Sequence, residues 1–153
     1  MAHERDRNIR PARTGEATAI RDLVRRAYAK YLPRMEREPG PMLDDYDKRV
    51  AEGAAYVLEM AGTIAGILIL LPQDDHLLMD NVAVEPDLQG RGIGAALVAF
   101  AEAEATRRGY GEIRLYTHRT MVENVRMYAR LGYEETGRGR QAGYDRVFML
   151  KRL

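Results

Sequence analysis

The residues with the clearest chemical potential run from Gln89 to Ala95, in the order Gln-Gly-Arg-Gly-Ile-Gly-Ala. Gly90, Gly92 and Gly94 stand at the start of a strongly helix-favouring run. Glycine costs about 1 kcal/mol against alanine inside a helix, so their presence needs a reason. The first N–H groups of a helix have no internal partner, and the helix dipole adds partial positive charge there. Glycines keep that backbone bare and supply positive φ angles, so a strand, a glycine turn and a helix start form an anion site. Two registers compete for it. Gly90, Gly92 and Ala95 satisfy G-x-G-x-x-G/A, the fingerprint of a dinucleotide site and a nicotinamide-dependent oxidoreductase. Gln89, Gly92 and Gly94 satisfy Q/R-x-x-G-x-G/A. The fingerprint belongs to repeated β-α-β units with an acidic residue at the far end of the second strand. Here three antiparallel-type strands come first, and the next strand begins at Glu112 and ends in Tyr116-Thr117-His118. The P-loop, which needs Gly-Lys-Ser/Thr, is absent from the sequence.

Other reactive residues are few. Asn124 and Tyr128 are four apart and share a helix face. Asp80 precedes the apolar Val82-Ala83-Val84. Cysteine is absent, which removes disulfides, thiolate nucleophiles and cysteine-based zinc sites and fits a reducing, cytoplasmic compartment. The histidines His3, His76 and His118 are scattered, so no metal is expected. A net charge of +1 gives no electrostatic case for nucleic acid or a membrane surface. The longest apolar run, IAGILILL, is strand-sized, and the charged start MAHERDRNIR lacks a signal core.

The elements that must position these residues follow from periodicity and punctuation. NIRPA reads as a first strand, and Thr14 as the cap of a helix whose apolar face is Ile20, Leu23, Val24, Ala27, Tyr28 and Tyr31. LPRMEREPGPM reads as a loop, and LDDYDKRVAEG as a short helix stopped by Gly53. AAYVLEM and TIAGILILL flank the turn pair Ala61-Gly62, and HLLMDNVAVEP is a strand closed by Pro86. A long helix runs from about Gly92 to Arg108, with Gly109 as its stop. EIRLYTH is a strand, MVENVRMYARLG a helix ending at Gly132, and YEETGRGR with YDRVFMLKRL a terminal hairpin around Gly143. The order β, α, α, β, β, β, α, β, α, β, β predicts one α/β (α+β) domain over residues 1–153.

NVAVEPDLQGRGIGAALV resembles the acetyl-CoA-binding segment of the GNAT N-acetyltransferase superfamily, and ENVRMYARLGYEE resembles that family's N-x-x-x-Y-x-x-x-G-Y/F segment. The two motifs stand in the family's order and at about its spacing. The resemblance implies a mixed, mostly antiparallel sheet of about seven strands flanked by four helices. It also implies acetyl-CoA as cosubstrate and no metal. Val82, Ala83 and Val84 would pair with the pantetheine arm, and Gln89, Gly90, Arg91, Gly92, Ile93, Gly94 and Ala95 would cradle the pyrophosphate. Asn124 would contact the pantetheine arm, and Tyr128 would be the general acid. A thiol leaves with a pKa of about 8.5 and tyrosine sits near 10, so a phenol can protonate the departing thiolate.

The attacking amine must be neutral. At pH 7 an alkyl amine with a pKa of about 10.4 gives up about 4.6 kcal/mol to become so. Asp80 is the first candidate as base or amine holder, His118 the second, and a water chain remains open. Tyr28, Tyr31 and Tyr46, beside Asp44 and Asp45, fall where the family covers its acceptor, and Thr117 and His118 would also contact it. Tyrosines that narrow the pocket favour a small amine over a protein amine. Without cysteine, direct attack in a ternary complex is the simplest course. The alternative is a non-catalytic acyl-CoA-binding regulatory module. The apolar VFML near the C-terminus would allow a homodimer.

Overall fold

The computed structural model describes residues 7–153. Seven strands form a single sheet: β1 (Arg7–Pro11), β2 (Ala55–Met60), β3 (Thr63–Pro72), β4 (Leu77–Val84), β5 (Glu112–His118), β6 (Glu134–Gln141) and β7 (Tyr144–Arg152). Their spatial order is β1-β2-β3-β4-β5-β7-β6. Every pairing is antiparallel except that of β4 with β5. Four helices flank the sheet: α1 (Ala17–Tyr28), α2 (Tyr46–Ala51), α3 (Ile93–Arg107) and α4 (Val122–Arg130). The mixed α/β class, the strand number and the helix number match the expectation.

The sheet separates two cores. On one face, Ile93, Leu97, Val98, Ala101 and Ala105 of α3 and Tyr128 of α4 pack on Leu68, Leu70, Met79 and Leu115. On the other, Ile20, Leu23, Val24 and Tyr28 of α1 pack on Val57, Ile67, Ile69 and Ala83. The stripe predicted for the first helix is this buried face from Ile20 to Tyr28, while Tyr31 falls past the helix end in a 3-10 turn. Gly66 lets α3 sit close to the sheet. A Cβ there would lie 2.9 Å from Leu97 Cδ1 and 3.2 Å from the Ala83 carbonyl oxygen.

Several local details differ from the sequence reading. Thr14 does not cap α1. The N-cap is Glu16, and its carboxylate accepts from the Arg13 N–H and from Arg10 rather than from the helix. A side chain with two nearby cationic or N–H partners outside the helix is drawn away from the capping position. The loop contains two short 3-10 turns, Ala29–Arg34 and Gly40–Leu43, and α2 is capped by Asp45, whose side chain accepts from the Lys48 N–H. Both tight hairpins are as read. Ala61-Gly62 and Ala142-Gly143 have positive φ at both positions, as a two-residue I′ turn requires.

Candidate active site

The site is built where the sheet opens. β4 and β5 pair only at Leu77–Ile113 and Leu78–Arg114. Beyond Leu78 the β5-facing backbone of β4 has no strand partner. On its other edge β4 carries a bulge: Ile69 faces Asn81 and Leu70 faces Met79, so Asp80 is the extra residue. Bulges bend a strand and re-aim its side chains. Two cavities occupy the opening, and Tyr28 lines both.

The first cavity, of about 390 Å³, is enclosed by Val82, Ala83 and Val84 of β4, the Gln89–Ala95 turn, and Asn124 and Met127 of α4. Gly90 has φ +83°, and Gly92, the N-cap of α3, has φ +79° and ψ 10°. The Ala96 N–H to Gly92 carbonyl bond opens the helix ladder, so the N–H groups of Ile93, Gly94 and Ala95 lie ahead of it, unpaired within the helix. No side chain caps this end, and no acidic residue lies in its first turn. A 15-residue helix thus points its positive end, uncovered, into the cavity. Lys30 and Arg130 add positive charge to the wall. Arg7 donates to the Arg91 carbonyl at 2.6 Å, and Gln89 donates to the Val84 carbonyl at 3.3 Å, which fixes the turn against the sheet.

The second cavity, of about 310 Å³, lies between Asp80 in the middle of β4, the end of β5, the start of β7 and the loop over Met35–Asp44. Asp80 points into it and accepts from the Tyr116 hydroxyl at 2.9 Å. Burial raises the carboxyl above its ordinary value, and the Tyr116 hydrogen bond offsets part of that rise. Asp80 is therefore a stronger base than a surface aspartate. Burial likewise raises Tyr116 to about 12. His118 also faces this cavity, with a pKa lowered first by burial. Its Nδ1 accepts from the Thr120 N–H at 3.1 Å. The Thr120 hydroxyl lies 2.9 Å from the same nitrogen, so Thr120 fixes the ring through its Nδ1 edge. The loop is held by a buried chain: Tyr28 donates to Asn81, Asn81 donates to Tyr46, and Tyr46 donates to the Pro41 carbonyl.

Of the residues named from sequence, Val82, Ala83, Val84, Gln89, Gly90, Gly92, Ile93, Gly94, Ala95 and Asn124 line the first cavity. Arg91 is exposed and does not line it. Asp80, Tyr28, Thr117 and His118 line the second. Tyr31 and Tyr46 correct the expectation of acceptor contact. Tyr31 faces the first cavity, and Tyr46 is buried in the α1–α2 core at the end of the Asn81 chain. Asp44 lines the second cavity but is held by Arg49 at 3.0 Å, and Asp45 is consumed as a helix cap. Tyr128 is buried on α4 and lines neither cavity, with its ring 5.7 Å from Tyr133. Burial, and then Tyr31, raise its pKa.

Of the nine tyrosines, eight have a hydrogen bond at the hydroxyl. Tyr128 has none among the described residues. Sequence reasoning missed Tyr116, Tyr144 and Arg146. The two-residue strand period from His118 would have placed Tyr116 on the same face.

A sheet opened at one parallel junction, with a bare helix end in the opening and a basic carboxylate beside it, defines an α/β protein with two adjoining cavities, one of them suited to a phosphate-bearing ligand. The chain belongs to the acetyltransferase (GNAT) family, which it matches over residues 17–133. It is 28% identical over 93 residues to rat N-acetyltransferase family 8 member 2, covering 57% of this chain and 41% of that protein. It is 29% identical over 80 residues to the Escherichia coli [ribosomal protein bS18]-alanine N-acetyltransferase, covering 52% of this chain and 54% of that one. The chain thus spans about half, or less, of these curated relatives. Its fold is similar to PaiA N-acetyltransferase from Thermoplasma acidophilum, solved in complex with coenzyme A. The TM-score is 0.82 at 17% identity, over 96% of this chain and 99% of that one. Among the described residues no helix is long and apolar enough to cross a membrane, and no cluster of metal-ligating side chains occurs.

Proposed function

We propose that the chain acts as one N-acetyltransferase domain, moving the acetyl group of acetyl-CoA to a primary amine by direct attack. The observation that carries this is the pair of adjoining cavities with Tyr28 in their shared wall. One holds an uncovered helix N-terminus suited to a pyrophosphate. The other holds a carboxylate of raised pKa suited to an amine. The freed edge of β4 supplies backbone groups for the amides of a pantetheine arm. The names of the relatives cover both a ribosomal protein and, in N-acetylglutamate synthase from Neisseria gonorrhoeae, a small molecule, so the acceptor must be argued from this chain's own cavity.

The amine nitrogen bonds to the acetyl carbonyl carbon, and the carbon–sulfur bond breaks. The proton lost by the amine goes to Asp80, directly or through water, and the departing thiolate takes a proton from Tyr128. Its raised pKa keeps that phenol protonated at neutral pH, and its hydroxyl has no hydrogen-bond partner among the described residues. Tyr128→Phe keeps the ring and removes the proton. Thiol release should show kcat lowered about 100-fold or more, with the affinity for CoA within about twofold in calorimetry. An unchanged kcat would remove Tyr128 from the acid role. Normal CoA binding with no turnover on any amine would favour a regulatory acyl-CoA-binding module instead.

A further inference from the structure

Resting on the acetyl-transfer reading, we infer that the acceptor is a small amine carrying a carboxylate, with the amine toward Asp80 and the carboxylate on Arg146. The second cavity holds two guanidinium groups and two carboxylates in its wall. One of each is already spent: Arg49 pairs with Asp44 at 3.0 Å and with Glu52 at 2.8 Å. Asp80 and Arg146 are left. Asp80 has only the neutral Tyr116 hydroxyl as a hydrogen-bond partner among the described residues. Arg146 stacks on the Tyr116 ring, 3.9 Å from its centroid, and donates to the neutral Gln141 amide oxygen. No carboxylate pairs with it among the described residues. An unpaired anion and an unpaired cation therefore stand at the hydroxyl end and on the face of one tyrosine. An ammonium and a carboxylate a few bonds apart answer both at once, and a planar guanidinium suits bidentate contact with a carboxylate.

A second observation points the same way. A smaller pocket adjoins this cavity at Met35, His118 and Tyr144 and carries Arg34, Arg37, Arg119 and Arg140 against Glu36 and Asp145. Arg37 lies 4.5 Å over the Tyr144 ring with no carboxylate partner among the described residues. Arg119 and Arg140 share Asp145, each at 3.3 Å, and Arg140 also lies 3.8 Å from Glu36. An excess of cations beside the cavity draws anionic groups and opposes polycations. A polyamine would place its second ammonium against Arg146. A cavity of about 310 Å³ matches the lower end of small-ligand sites.

The test is a thiol-release screen over the standard amino acids and β-alanine. The same amines are run as their carboxamides, beside spermidine and peptides with free N-termini. The best free amino acid should exceed its carboxamide at least about tenfold in kcat/KM, with Arg146→Gln (R146Q) erasing that ratio mainly through KM and Arg146→Lys restoring part of it. A preference for spermidine, for the carboxamides or for peptide N-termini overturns the inference, as does an unchanged ratio in R146Q. Calorimetry on the CoA-saturated protein reads the same contrast without turnover. An amino acid should bind at least about tenfold more tightly than its carboxamide, and R146Q should remove the difference while CoA affinity stays constant. No amino acid binding overturns the inference. Amino acid binding with no acetyl transfer supports it and overturns the acetyl-transfer reading alone.

Discussion

Gly92 and Gly94 stand two residues apart in the same turn, yet the backbone demands glycine at only one of them. Gly92 has φ +79°, and a Cβ there meets nothing within 4 Å. The cost of Gly92→Ala is therefore backbone strain alone, about 1–2 kcal/mol for an alanine in the left-handed region. Gly94 lies inside the first turn of α3 without positive φ. Its Cβ would stand 3.4 Å from Met127 Sδ and 3.8 Å from Val84 Cγ2, close to a flexible thioether and in ordinary contact with the valine. Gly94→Ala should gain helix propensity, at most about 1 kcal/mol. The two variants should differ by about 1–3 kcal/mol in urea unfolding, and at 2–4 °C per kcal/mol their Tm values should separate by about 2–12 °C. CoA affinity should separate as well. An alanine at 92 that relaxes toward negative φ turns the N–H groups of the first turn off their common point, at a loss of about tenfold or more, or 1.4 kcal/mol. Gly94→Ala should stay within about threefold by calorimetry, since one methyl fits beside Met127. Equal urea midpoints and equal CoA affinities for wild type and Gly92→Ala would refute this reasoning. So would a Gly94→Ala variant that loses as much as Gly92→Ala. The contrast also gives a physical reason for a motif that accepts glycine or alanine at its last position.

Two further changes test the scaffold around the site. Tyr116→Phe removes the hydrogen bond that lowers the Asp80 pKa, while the burial that raises it remains. Protonated Asp80 cannot act as base, so activity falls as pH drops through its pKa. The acidic limb of kcat/KM against pH should therefore move to higher pH in the variant, and a limb that stays in place would separate Asp80 from the proton transfer. Gly66→Ala places a methyl 2.9 Å from Leu97 Cδ1, 3.1 Å from Ile93 Cγ2 and 3.2 Å from the Ala83 carbonyl oxygen. Overpacking there should destabilise the fold by about 1–3 kcal/mol in urea titration and weaken CoA binding by pushing the first turn of α3 outward, whereas unchanged values for both would show that α3 can shift freely.

The parts of the site governed by local rules were legible in the sequence. Gln89 to Ala95 was legible as a bare helix start, because Gly90 and Gly92 precede Ile93, Gly94 follows it, and glycine is otherwise costly where a helix begins. Asn124, Val82, Ala83 and Val84 followed from the family resemblance, and the first cavity contains them. What depended on distant chain segments was not legible. Tyr46 reads as an aromatic over the acceptor beside Asp44 and Asp45, but it is the third member of a chain that starts at Tyr28 and passes through Asn81, 35 residues away from it. Thr14 looked like a cap because the ion pairs that Arg10 makes with Glu16 and Glu59 are invisible without the β1–β2 pairing. Arg146 reaches the site only because β7 inserts between β5 and β6, which sets it over Tyr116.

The extra residue in β4 ties these pieces together. Before it, Leu77 and Met79 face the α3–α4 core. A strand of strict period two would send Asn81 and Ala83 to that same side. Instead Val82 and Val84 pack there, while Ala83 joins the α1 core and Asn81 bonds Tyr28 and Tyr46. A one-residue slip flips every side chain that follows it. The bulge thereby leaves Asp80 and Asn81, adjacent in sequence, directed toward the same side of the sheet. One charges the second cavity, and the other anchors the loop that roofs it through Tyr46 and Pro41. The same slip puts Val82 and Val84 where the bare end of α3 opens. Removing the bulge would turn Asn81 away from the loop and the valines away from the helix end together, so the two cavities depend on one backbone irregularity that no local sequence signal announces.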